Sequence, residues 1–213
     1  MTDRLNKIFD RLTECEVFAD VGCDHGYIAK AMLYSGKCKK AIVSDISAKC
    51  LNKAEELLKD FIKKGVAEAV VSDGFDKVGY CDQALIAGMG GEEITAILSK
   101  AESLPNRLIL QPMKNCDKVR LCAVKRGYKV VNDGVFKSAG KFYDLIVLEK
   151  GTDSLTQEEI EFGRGNVKDR SQPFKEMLLE KMQKIQAVLL KDGLKDFDRV
   201  ALLQELDRMK KYV

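Results

Sequence analysis

Histidine is nearly missing from this chain: His25 is the only one in 213 residues. No Cys-His or Ser-His-Asp arrangement for activating a nucleophile is therefore evident in the pattern. Nor does any stretch approach the roughly 18 apolar residues of a membrane span, which predicts no membrane partner. The N-terminus is charged and amphipathic and lacks the apolar core of a secretory signal. Seven cysteines are an odd number and include no C-x-x-C pair, so reduced thiols in a cytoplasmic protein are expected rather than a disulfide framework or a metal site. The formal net charge of +3 does not by itself demand nucleic acid. At this length, one domain plus an appendage is expected.

The most informative segment is Val17-Phe18-Ala19-Asp20-Val21-Gly22-Cys23-Asp24-His25-Gly26-Tyr27. It reads as a buried strand ending in an acid, a glycine-containing turn and then a helix, which is where open α/β sheets bind nucleotides. A dinucleotide fingerprint set on Gly22 would need glycine at Asp24 and Tyr27. Both fail, and a carboxylate at Asp24 would repel a pyrophosphate. The pattern suits a ligand without phosphates, such as S-adenosylmethionine (SAM), whose ammonium tail Asp20 and Asp24 could attract. Two further apolar runs end in acids. Lys40–Asp45 lies near the offset expected for a carboxylate bonding ribose hydroxyls; Ala69–Asp73 is followed by Gly74, where an acid could accept from an adenine amino group. One strand-ending Asp is often only a turn former, but three in order favour one bound nucleoside.

Apolar spacing predicts an amphipathic helix over 3–14 and strands at 17–20, 41–45, 67–71, 82–87 and 107–111. Helices are expected at 26–34, at 48–64 with Ser47 as cap, after the Gly88–Gly91 turn, and at 115–126. Strands 128–137 and 142–149 flank a hairpin turn at 138–141. The fold class is therefore α/β: a mostly parallel, seven-stranded, doubly wound sheet with an antiparallel strand near one edge. Residues 1–150 form the predicted main domain, and 151–213 a linker with a short helix near 156–162 followed by an antiparallel, coiled-coil-like helical hairpin, 173–191 and 195–212, broken at Asp192-Gly193. Basic residues cluster at 114–129 (Lys114, Lys118, Arg120, Lys125, Arg126, Lys129), and Arg4, Lys7 and Arg11 share the first helix. Such clusters either track phosphates or form solvated faces.

Asp20–Tyr27, Ala87-Gly88-Met89-Gly90-Gly91 and Leu108-Ile109-Leu110-Gln111-Pro112, in this order, resemble the TrmK family of bacterial class I SAM-dependent methyltransferases, which modify N1 of adenosine 22 in tRNA. The resemblance covers essentially the whole chain, including the terminal hairpin. It implies a Rossmann-like fold, SAM as cofactor and tRNA as partner. It places Asp20, Gly22, Cys23, Gly26, Asp45, Ile46, Asp73, Gly74, Gly88, Met89 and Gly90 at the cofactor. Gln111 and Pro112, which follow strand five, and Lys114, Lys118 and Arg120 of the basic segment are expected on the substrate side. Asp24, His25 and Tyr27 are the candidates for catalysis: Asp24 to offset the charge of the methylated ring, His25 to bond the base or lock the loop, Tyr27 to stack on the base or pack beneath it. No metal is implied, and a monomer or weak dimer is expected. The competing readings are a SAM methyltransferase of ribosomal RNA, protein or a metabolite, and a noncatalytic RNA-binding module; a nicotinamide oxidoreductase is disfavoured by the glycine spacing.

Overall fold

The computed structural model describes residues 1–191 and 195–213. Seven strands, β1 (Cys15–Val21), β2 (Cys38–Asp45), β3 (Ala67–Val71), β4 (Gln83–Met89), β5 (Arg107–Pro112), β6 (Tyr128–Ser138) and β7 (Lys141–Lys150), form one sheet in the order β3-β2-β1-β4-β5-β7-β6. The first five are parallel, and β7 runs antiparallel to both of its neighbours. Strand residues alternate between two cores. Ala19, Val21, Ala84, Ile86, Leu108 and Leu110 face one side, under α4 (Gly91–Lys100) and α5 (Cys116–Lys125). Phe18, Ala41, Val43, Leu85 and Ile109 face the other, under α1 (Asp3–Phe9), α2 (Tyr27–Tyr34) and α3 (Ala48–Lys63). A sheet buried on both faces explains why its central strands read as continuous apolar runs.

Helix α1 is shorter than expected. It is capped by Thr2 and ends at Phe9, so Arg11 lies beyond it. Leu12 still reaches the core through tight turns, Arg11 N–H to Ile8 C=O and Leu12 N–H to Phe9 C=O. Arg4 lies near Gln111 at the carboxyl end of β5, and the Arg11 carbonyl lies near Arg107 at its amino end. The helix therefore runs along β5 in the opposite sense.

The segment expected to be a linker carries two short helices, α6 (Gln157–Phe162) and α7 (Arg164–Asp169), which pack against α5 and β6. What holds it there is a side chain read from sequence as RNA-facing. Arg120 is 1% exposed. Its Nε donates to Asp133 at 2.7 Å, its Nη2 to Asp133 and Asp144 at 2.9 Å each, and its Nη1 to the Ile160 carbonyl at 3.1 Å. Arg120 thus ties α5 to β6, β7 and α6, and it is unavailable to a substrate. Gly165 lets the chain close on this network, since a Cβ there would lie 1.9 Å from the Asp133 carbonyl oxygen.

Helices α8 (Gln172–Leu189) and α9 (Asp196–Lys210) run antiparallel, with Lys181 bonded to Glu205 at 2.7 Å. Phe174, Leu178, Leu206, Met209 and Tyr212 close over Phe162 in a third apolar cluster. Tyr212 is buried in this cluster, and Val213 is exposed. The break expected at Asp192-Gly193 lies outside the described residues.

Arg120→Ala would leave the buried Asp133 and the partly buried Asp144 without their cation. The expected loss is about 3–5 kcal/mol of folding stability, measured by urea unfolding; a loss within about 0.5 kcal/mol, typical of a surface site, would refute the structural role.

Candidate active site

The strand order reverses between β1 and β4, and α2 and α4 leave their tips for opposite faces. The crevice that opens there is the ligand position of such sheets. It measures about 370 Å³ and is lined by Val21 and Gly22 after β1, Asp45 and Ile46 after β2, Ser72, Asp73 and Gly74 after β3, Met89 at the end of β4, and Glu93, Ala96, Ile97 and Lys100 on one face of α4. Two larger hollows, of about 690 and 620 Å³, lie elsewhere, one lined by residues near the amino ends of β4 and β5, the other between α5, α6 and the terminal helices. Neither lies where the strand tips converge on a ligand, and the smaller crevice is the better site.

The first turn is sewn to its neighbour. The N–H groups of Gly22 and Cys23 donate to the Ser44 carbonyl at 2.7 and 2.8 Å. Gly22 sits at φ +76°, a backbone conformation that favours glycine, and the Met89 Cε lies over it, 1.7 Å from where a Cβ would be. Gly74, at φ +59°, likewise makes room for Ile97. Cys23 points the other way, into the core, where its Sγ accepts from the Gly26 N–H at 3.0 Å. Its expected contact with the cofactor is corrected to a packing role.

The acids are not equivalent. Asp20 is 8% exposed and has no cationic partner among the described residues. Burial raises it to about 6, against a hydrogen bond from the Cys23 thiol that lowers it. Asp45 accepts the Ser47 N–H on one oxygen at 2.7 Å, leaving the other for a ligand. Asp73 is bonded by Lys100 at 2.8 Å, and Asp76 also engages that ammonium. Asp24 does not line the crevice. One of its oxygens accepts from Lys53 and the other from His25 Nδ1, each at 2.7 Å. The Lys53 bond, with His25 adding to it, holds this half-exposed carboxyl below its usual range. Each of its oxygens thus already accepts one hydrogen bond from the protein. His25 and Tyr27 stack at 5.4 Å between centroids on the exposed side of the same loop.

On the acceptor side, Gln111 and Pro112 are buried. The Gln111 Oε1 accepts from Arg4 Nε at 2.8 Å, and its Nε2 donates to the Pro112 carbonyl at 3.0 Å. Both ends of the amide are used within the protein and both residues are buried, so the expectation that Gln111 and Pro112 touch substrate is corrected. Lys118 is exposed and paired with Glu92 at 2.6 Å, while Lys114 is exposed and lies over Gly90. Sequence reading passed over Glu93, Ile97 and Lys100. The signal was available: a helix that starts directly after the β4 turn must present positions such as 93, 96, 97 and 100 to one side.

A raised Asp20 has a defined pH signature. Below about pH 4 the carboxyl is protonated in both folded and unfolded chains and contributes nothing. As pH rises toward and past 6, the unfolded chain loses this proton first, so folded stability falls, by about 3 kcal/mol at most. Asp20→Asn should abolish that component: its stability relative to the parent should climb between pH 4 and pH 7 in denaturant titrations. A difference independent of pH would show that the carboxyl is not held this way.

Residues 1–146 match the family described as methyltransferase domain. The chain is 30% identical over 155 residues to a candidate tRNA methyltransferase of Mycoplasma pneumoniae, covering 70% of this chain and 71% of that one. It is 27% identical over 171 residues to the tRNA (adenine(22)-N(1))-methyltransferase of Bacillus subtilis, covering 78% and 71%; the crystal structure of B. subtilis TrmK superposes with a TM-score of 0.88 at 22% identity, over 100% and 98% of the two chains. A candidate tRNA (m1A22) methyltransferase of Streptococcus pneumoniae superposes with a TM-score of 0.93 at 25% identity, over 100% and 99%, and has also been solved in complex with SAM. With a matching family over two thirds of its length, the chain belongs to the methyltransferase-domain family, and it shares the fold of TrmK from end to end.

Proposed function

We propose that the protein transfers a methyl group from SAM to N1 of adenosine 22 in tRNA. The observation that carries this reading is the charge of the crevice. Asp45 and Asp73 line it, Asp20 lies directly beside Val21 and Gly22, and the one lining cation, Lys100, is already held by Asp73 and Asp76. Such a site repels phosphates and attracts a cation. It fits a ligand whose ends are an ammonium and a nucleoside: Asp20 lacks a cationic partner, Asp45 keeps an oxygen for ribose hydroxyls, and Asp73 sits beside Gly74 where the adenine edge would lie. The relatives named above support the same assignment.

When bound, SAM supplies an electrophilic methyl on a cationic sulfur. Adenine N1 carries an in-plane lone pair, so its bond to carbon forms as the carbon–sulfur bond breaks, and no proton has to be removed first. The work left to the protein is alignment and exclusion of water, and positioning alone supplies about 7–11 kcal/mol in favourable intramolecular cases. Gly22 and Met89 lie at the strand tips beside which the reacting atoms must line up. N1 lies on the Watson–Crick edge, so the target nucleotide has to leave its stack; Lys114 and Lys118 flank the β4–α4 turn where its backbone would pass. The cytoplasm is the compartment this reading implies.

Asp45→Ala should weaken SAM binding by about tenfold or more, the worth of a charged hydrogen bond, with little change in thermal stability; an unchanged affinity in calorimetry would remove Asp45 from the site. Incubation of unmodified tRNA with the protein and SAM, followed by nucleoside mass spectrometry and primer extension, should reveal 1-methyladenosine with a stop at position 22. Methylation confined to ribosomal RNA or protein would overturn the substrate assignment.

A further inference from the structure

Arg4 is the cation that the main-chain layout carries to the acceptor side of the strand tips. Its Nε and Nη2 both donate to the Gln111 carbonyl oxygen, and its guanidinium lies 5.3 Å from the centre of the Tyr143 ring. Tyr143 in turn stacks on Phe136 at 5.5 Å. The Nη2 atom sits 3.2 Å from where a Cβ of Gly88 would be. Gly88 and Met89 are successive residues at the tip of β4: Met89 reaches over Gly22 into the crevice, and Gly88 faces Arg4. The crevice and this guanidinium therefore meet at the same strand tip, on adjacent residues of β4.

The charge of Arg4 is not matched. It is half-buried, and no carboxylate lies within ion-pair distance among the described residues; its neighbours are a neutral amide and the face of a phenol. A guanidinium has five N–H donors, and Gln111 takes two of them. A planar cation backed by an aromatic ring, with donors to spare, is a surface on which an unstacked base is held by stacking and by hydrogen bonds to its ring nitrogens. Resting on the assignment of the crevice to SAM, we propose that Arg4 and Tyr143 form the seat of the acceptor base, with Arg4 determining which base is held there and Gln111 positioning Arg4.

The test uses the full-length protein, saturating SAM and unmodified tRNA. Arg4→Met should lower kcat/KM for tRNA by about 100-fold, the scale of a lost alignment, while the SAM dissociation constant and Tm stay near those of the parent. Arg4→Lys, which keeps the charge but loses the plane, should rescue little. Tyr143→Leu should lose about tenfold, the worth of one base–aromatic contact. Near-normal rates for Arg4→Met, or a fall in SAM affinity and Tm in step with the rate, would overturn the seat. Full rescue by lysine would overturn it as well, in favour of a phosphate contact. A parent protein that binds SAM but leaves tRNA unmethylated would refute the tRNA assignment separately; the same ratios on the RNA it does methylate then decide whether Arg4 and Tyr143 seat the base.

Discussion

Everything at this site depends on two adjacent parallel strands whose helices leave for opposite faces. Where β1 and β4 end, the chain turns through Gly22 at φ +76° and the Met89 side chain lies over that bare glycine. The sheet cannot cover its own edge at that point, because α2 lies below and α4 above. The result is a crevice into which the tips of β1, β2, β3 and β4 all deliver their last residues. Its chemistry follows from what those residues are: Asp45 and Asp73 on its walls, with Asp20 just beneath.

Burial gives the acids different work. Asp20, deep and unpaired, is raised toward neutrality and is ready for a cation. Asp24, a few residues on, is solvated and claimed by Lys53 and His25. The two look alike along the chain and differ because one lies under the loop and the other on top of it. The same contrast separates Arg120, locked between Asp133 and Asp144, from Arg4, whose guanidinium meets only an amide and an aromatic ring.

The Arg120 network also changes the meaning of the C-terminal third. Helices α6 and α7 are held on β6, and the roots of α8 and α9 close over Phe162. The base of the hairpin is therefore packed, and the C-terminal third is fastened to the domain that carries the crevice.

The order of strands and helices, the crevice glycines and the three strand-ending acids were legible in the sequence because each rests on local rules: apolar runs, turn residues and the position of an acid after a strand. The shortness of α1 and the presence of α7 were not, since both are decided by packing against the sheet. The site was legible only in part. Cys23, Gln111, Pro112 and Arg120 were assigned to ligands from their places in motifs, and burial sends all four inward. Glu93, Ile97 and Lys100 join the crevice only because α4 folds back over it. Sequence by itself determined which residue types stand at the strand tips, since the period of a strand and the turn after it are properties of neighbouring residues. Tertiary structure alone decided which charges are neutralised and which are left open, because the partner of a charge is set by elements far apart in the chain, as Arg4 and Tyr143 illustrate.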